Sequence, residues 1–206
     1  MAELTEMVAL RVTVEGPVTS FRYPYFVQGV QPTYEMPPPA TLYGHVCSAL
    51  GDPAPAPFRV ALHFTFGATF TDYEHTHLFG REPKLSPFVR ELLVRPRLTL
   101  YLDRPEWLTA FQRPKYVVTL GRSQDLMKYT DVRTVTLVAT KNAYVEHTLL
   151  PLRDRSNFQA RVEGLTALTM PRFLDRQRRV TWGQYAMVKR RQALSPGDRA
   201  NWIDPH

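Results

Sequence analysis

The sequence predicts an α+β protein, and three observations carry that prediction. Apolar and polar residues alternate with period two in three short stretches, as half-buried strands require. Between the first two of these lies a stretch with helical spacing, a proline entry and a glycine exit. Charge is uneven: residues 1–150 carry 15 Lys/Arg against 14 Asp/Glu, and residues 151–206 carry 11 against 5. A near-neutral body with a basic C-terminal quarter points to a polyanion or acidic partner, or to a solvated basic surface.

The first strand holds Val8, Leu10, Val12 and Val14, alternating with Ala9, Arg11 and Thr13 and stopped by Gly16-Pro17. A helix over 39–50 follows. Pro37, Pro38 and Pro39 fix its entry, because proline suits a first turn whose N–H groups lack intrahelical partners. Leu42, Val46, Ala49 and Leu50 form one apolar face, and Gly51-Asp52-Pro53 ends it. Gly44 is about 1 kcal/mol worse than alanine inside a helix, so a close neighbour is expected beside it. Ahead of the helix lies Phe21-Arg22-Tyr23-Pro24-Tyr25-Phe26, too irregular for a strand. Such a segment holds phosphate and stacks bases at a helix N-terminus, or packs as a tyrosine-rich loop over the core. The residues leave both readings open.

Val60, Leu62, Phe64 and Phe66 mark a second strand and Leu98, Leu100 and Leu102 a third. Pro105 to Phe111 reads as a short helix and Tyr116 to Leu120 as a fourth strand. The order β-α-β-β-α-β is the split βαβ arrangement of ferredoxin-like (RRM-like) domains, assigned to residues 1–125. About 25 residues, within 71–95, separate the second and third strands where a short hairpin turn would suffice. Tyr73, His75, His77, Phe79 and Phe88 make this insertion too aromatic for a flexible linker, so it is expected to be a protruding arm.

Directly after the fourth strand, Gly121-Arg122-Ser123-Gln124 offers a turn with a guanidinium, a hydroxyl and an amide, suited to phosphate contact or to capping its own loop. Residues 126–206 are expected to form a β-rich basic extension. Within it, 132–140 and 143–150 are read as a hairpin around Lys141-Asn142, and 180–188 as a last strand. Cys47 is the sole cysteine, which excludes an internal disulfide and fits a reducing cytoplasm. No apolar run reaches the length of a membrane span, and the N-terminus does not read as a signal peptide. His75-Thr76-His77 has a metal-site spacing without the further ligands that would complete a shell, so no metal or other cofactor is expected. A phosphate-cradling GxxxxGK[ST] loop and a nucleophile elbow are both missing.

Two stretches, PTYEMPPPATLYGHVCSALG (32–51) and RPKYVVTLGRSQDL (113–126), resemble the two signature regions of CRISPR-associated (Cas) family 5 proteins of type I systems. The resemblance extends to the order of elements, to the arm, and to VRELLV (89–94) where the arm rejoins the sheet. It covers about the first 130 residues. It implies a non-catalytic RAMP-type subunit of the Cascade surveillance complex. Such a subunit grips the 5′ handle of CRISPR RNA (crRNA) and caps the backbone of repeated subunits. Its arm, the thumb, folds over the guide, and the subunit also contacts the large subunit; target DNA is met only through the assembly. Pro37, Pro38, Thr41, Gly44 and His45 match the helix-entry motif, and Gly121, Arg122 and Ser123 match the glycine-arginine turn. The RNA-binding candidates are Phe21, Arg22, Tyr34, Pro38, Thr41, Gly44, His45, Tyr73, His75, His77, Arg81, Gly121, Arg122, Ser123, Gln124 and Lys141.

Two other functions are compatible with the same residues. One branch of that family processes precursor RNA itself with a tyrosine, a lysine and a histidine acting in proton transfer. That triad does not align to particular residues here, and the binding role is preferred. The other alternative is a stand-alone RNA-binding protein.

Overall fold

The computed structural model describes residues 6–26, 29–78, 84–140, 143–152, 165–175, 177, 179–193 and 202–205, with the backbone alone for 76–78 and 84–86. Its strands are β1 (Glu6–Glu15), β2 (Val18–Thr19), β3 (Val30–Gln31), β4 (Val60–Thr65), β5 (Ala68–Leu78) and β6 (Lys84–Val94). After these come β7 (Arg97–Leu102), β8 (Lys128–Val138), β9 (Tyr144–Val145) and β10 (Thr148–Pro151). The last are β11 (Thr166–Leu174), β12 (Val180–Val188) and β13 (Gln192–Ala193). Helix α1 (Pro39–Leu50) lies between β3 and β4, and a 3-10 turn over Pro105–Trp107 leads into α2 (Leu108–Gln112). The architecture is α+β, with mostly antiparallel sheets and few helices.

The main sheet has the order β4-β7-β1-β8 with every neighbour antiparallel, so β1 and β4 run in one direction with β7 between them. Alternation decides its faces. Leu10, Val12 and Val14 of β1, Leu62 and Phe64 of β4, and Leu98, Leu100 and Leu102 of β7 pack with Leu42, Val46 and Ala49 of α1. Burying each such side chain stabilises by roughly 1.5–3 kcal/mol. Helix α1 begins as its prolines require, with Pro38 at the cap (φ −58°, ψ 149°), and ends at Gly51 (φ 72°), whose N–H donates to the Cys47 carbonyl at 2.9 Å. Leu149, Met170, Tyr185, Met187 and Ile203 complete the same core. Ile203 exchanges both backbone hydrogen bonds with Val60, at 2.8 and 2.9 Å.

The insertion between β4 and β7 is a long hairpin. β5 and β6, each 11 residues, pair from Ala68↔Val94 to Leu78↔Lys84. β2 and β3 grip the base of β6 from its other side, through Val18↔Val94 and Val30↔Val89. Among the described residues no helix is long and apolar enough to cross a membrane.

Two sequence expectations are corrected. Tyr116 to Leu120 is not a strand: Tyr116 and Val117 are exposed, and only Thr119 forms an isolated bridge, to Leu126. The edge strand beside β1 is β8 instead. A bulge between Thr13 and Val14 leaves Thr130 unpaired, which places Tyr129 and Val132 three residues apart on the core side. That break in period two hides the strand's full length from a reading of alternation. The second correction follows from it. Residues 132–138 pair with β1, while β10 pairs with β12, so 132–140 and 143–150 do not form a hairpin with each other. The segment 180–188 is a strand as read.

Candidate nucleic-acid interface

The segment before the helix entry and the glycine-arginine turn meet across a cleft of about 450 Å³. Ser20, Phe21 and Arg22 form one wall and Gly121 to Gln124 the other; Thr41 of α1 and Glu74 and Arg90 of the hairpin close it. Gly121 makes this closeness possible. Its φ is 86°, and a Cβ there would lie 2.5 Å from the Ser20 carbonyl oxygen and 2.6 Å from Thr19 Oγ1. Any other residue would be strained and would force the walls apart. The Thr19 hydroxyl donates to the Leu120 carbonyl at 2.6 Å, and the Phe21 N–H donates to Thr33 Oγ1 at 2.8 Å.

Arg122 is held inside the chain. Its Nε lies 3.0 Å from both Asp125 carboxylate oxygens, Nη2 donates to Oδ1 at 2.6 Å, and Nη1 pairs with Glu74. Asp125 is 1% exposed, and it also accepts the Arg122 backbone N–H at 3.2 Å. Burial alone would lower the arginine's pKa; the bonds and charges of Asp125 and Glu74 outweigh it and raise the pKa. Glu74 meanwhile accepts from Arg90 Nε at 2.8 Å, so one carboxylate ties β5, β6 and the turn together. Arg22 differs: it is exposed and makes no ion pair among the described residues. Ser123 and Gln124 are exposed at the turn's tip.

The structure therefore brings together Phe21, Arg22, Thr41, Gly121, Arg122, Ser123 and Gln124. It places other candidates elsewhere. His45 is buried on the core side of α1: Nδ1–H donates to the Thr119 carbonyl at 2.9 Å and Nε2 accepts from the Tyr129 hydroxyl at 3.1 Å. Burial lowers its pKa, the Thr119 bond acting in the opposite sense, and the ring is neutral. Pro38 and Tyr34 are buried too; Tyr34 stacks on Tyr23 at 3.6 Å between ring centres and donates to the Thr169 carbonyl at 3.0 Å. These three residues build the floor of the helix entry and present nothing to a ligand.

Gly44 is exposed, and a Cβ there would meet nothing within 4 Å, so the close neighbour expected beside it is not found among the described residues. Tyr73 and His75 are exposed on the hairpin, on the face opposite Glu74, with their rings 5.2 Å apart. The His77 side chain, Arg81 and Lys141 lie outside the described residues. Ser20, Glu74 and Arg90 line the cleft without having been singled out from the sequence. Their placement depends on the cross-hairpin register, which local spacing does not encode. The Cys47 thiol is pushed up to about 11 by burial, which disfavours the thiolate that a nucleophile needs. Among the described residues no group of three or more His, Cys, Asp or Glu side chains is arranged to hold a metal ion.

No family model and no curated protein matches the sequence. Solved structures do match in fold. A chain of a "CRISPR RNA-guided surveillance complex" superposes with a TM-score of 0.61 at 15% identity, covering 92% of this chain and 91% of that one. A CRISPR protein from Archaeoglobus fulgidus superposes with a TM-score of 0.53 at 11% identity, covering 96% and 100%. A chain of the Type III-B Cmr-beta complex, bound to cognate target RNA and AMPPnP, gives 0.54 at 7% identity, covering 89% and 85%. At these identities the likeness is one of fold, and it spans nearly the whole of each chain.

Proposed function

We propose that the chain is a non-catalytic RNA-binding subunit of a type I CRISPR surveillance complex that grips the 5′ handle of crRNA. One observation carries this reading. The glycine-arginine turn of the second signature region and Thr41 of the first, distant along the chain, line one cleft, with the exposed Arg22 on the wall facing that turn. The sheet order with α1 between β1 and β4 suits a ferredoxin-like core, and the fold likeness to chains of CRISPR complexes agrees with it.

In this reading Arg22 meets phosphate through charge-assisted hydrogen bonds. The Ser123 hydroxyl and the Gln124 amide read base edges, and the paired Arg122 holds their turn rigid. The hairpin acts as the thumb, presenting Tyr73 and His75 to the guide. The repeated backbone subunit and the large subunit are the protein partners, target DNA is engaged indirectly, and the assembly works in a prokaryotic cytoplasm. A binding role suits the cleft's chemistry: Glu74 is tied up by two arginines, and the buried, neutral His45 cannot reach a phosphodiester.

The test compares two RNAs at one fixed salt concentration, identical in spacer and differing in a repeat-derived 5′ handle. Tighter binding of the handled RNA, by about tenfold, is expected, with precursor repeat RNA left intact in EDTA. Equal affinity for the two RNAs would remove handle recognition; a defined cut in the precursor would move the assignment to a metal-independent endoribonuclease.

A further inference from the structure

A second cleft, of about 590 Å³, opens where the turn after β1, the turn between β6 and β7 and the start of β8 converge. Its apolar wall is Pro17 and Leu126, both exposed, with the half-buried Met127 beside them. Leu126 is 56% exposed, although this chain has a core into which a leucine could turn. Gly16 holds the wall open, because the Met127 sulfur occupies the space that a Cβ there would take.

Three cations stand around that wall. Arg95 has a left-handed backbone (φ 50°), uncommon outside glycine, and its N–H donates to the Pro17 carbonyl at 2.7 Å. Arg97 and Lys128 each pair with Glu15 across the sheet, so their backbones stand about 10 Å apart on either side of it. The Glu15 carboxylate lies 3.3 Å from Arg97. Arg95 and Lys128, both exposed, make no ion pair among the described residues.

The occupant follows from the chemistry. Two unpaired cations call for carboxylates or phosphates. No aromatic ring lines the cleft, so a nucleobase would find no stacking partner. Glu15 stands between two of the cations, where it repels a phosphate backbone but can accept a peptide N–H. A leucine, a proline and an adaptable methionine match aliphatic side chains instead.

We propose that this cleft docks an extended segment of a partner protein that carries carboxylates beside aliphatic side chains. The carboxylates meet Arg95 and Lys128, and a leucine-sized side chain lies against Pro17, Leu126 and Met127. The site is separate from the cleft at Gly121 and does not depend on the handle reading.

Fluorescence anisotropy on the full chain, at a fixed salt concentration of about 0.1 M, tests it with a fluorescein-labelled peptide of about ten residues alternating glutamate and leucine. Two control peptides replace every leucine by serine or every glutamate by glutamine. The wild type is expected to bind the glutamate-leucine peptide at least about tenfold more tightly than either control. Equal affinity for the serine control would show attraction to charge alone and overturns the proposal; equal affinity for the glutamine control overturns it as unspecific apolar binding. The Arg95→Glu/Lys128→Glu double variant is expected to fall to the level of the controls with its handle-RNA affinity unchanged, and wild-type peptide affinity in it overturns the site. Should charge reversal impair folding, Arg95→Gln/Lys128→Gln is measured in its place. Displacement of the bound peptide by oligouridine of matched charge at equal concentration overturns the protein assignment in favour of a nucleic acid. Hydrogen exchange with the peptide bound is expected to slow within 15–17, 95–97 or 126–128; slowing confined to other segments overturns the location. Absence of handle preference in the wild type, with peptide binding intact, would overturn the proposed function alone.

Discussion

Arg22 and Arg122 stand on facing walls of one cleft and use their charge in opposite ways. Arg122 is enclosed by Asp125 and Glu74, and its guanidinium is part of the scaffold. Arg22 projects into solvent beside a backbone bridge to Thr33 and has its charge available. A glycine-arginine turn read from sequence suggests that the arginine in the motif contacts the ligand. The structure separates the roles: one arginine holds the shape and the other is placed to bind.

The strongest way to break this contrast is to remove the buried partner. Asp125→Ala leaves the Arg122 charge in a half-enclosed site with Glu74 alone, and the loss of folding stability is expected at about 3 kcal/mol. Urea unfolding measures it; a change below about 0.5 kcal/mol would show that the turn does not depend on the pair. Arg22→Ala sharpens the contrast from the other side. It is expected to weaken handle-RNA binding by about tenfold through a lost charge-assisted contact, with the melting temperature unchanged. A fall in melting temperature with affinity retained would give Arg22 the structural role.

The smallest effect comes from His45, which fastens α1 to both Thr119 and β8 without facing the cleft. Burial holds its folded pKa below the ordinary 6.5, so the unfolded chain binds the proton first as pH falls. Stability from this group is complete above about pH 6.5 and is lost below it. The loss is expected to begin as pH falls through about 6.5 and to grow until the folded ring also takes up its proton. His45→Gln should flatten that part of the stability profile, and an unchanged slope would mean that another group titrates there.

Legibility from sequence followed locality. β1, β4 and β7 alternate cleanly because each has one face on the core, and α1 announces itself through Pro37 to Pro39 and Gly51. The start of β8 escaped because the unpaired Thr130 shifts the alternation by one, and its 132–138 part was legible as a strand but with the wrong partner. The arm was legible as an insertion but not as a regular hairpin: Tyr73 and His75 are exposed on one face, so its polar and aromatic residues follow no core-facing pattern. For the candidate site, the candidate residues around Arg22 and Gly121 do converge. Which of them are free did not follow, because the partners of Arg122 come from a turn that closes on Asp125 and from a hairpin register that delivers Glu74.

The unpaired Thr130 has a consequence for how copies of this protein behave in concentrated solution. The main sheet has two borders. One, β4, is met by Ile203 from the far end of the chain. The other, β8, is 11 residues long, and among the described residues its outer edge has no neighbouring strand. A long straight edge with free backbone groups is a template for another chain to add to, and for aggregation. An irregularity near the strand's start bends that end of the edge out of line, and Lys128, Asp131 and Arg133 charge it. The feature that conceals the strand's start in the sequence also works against edge-to-edge joining.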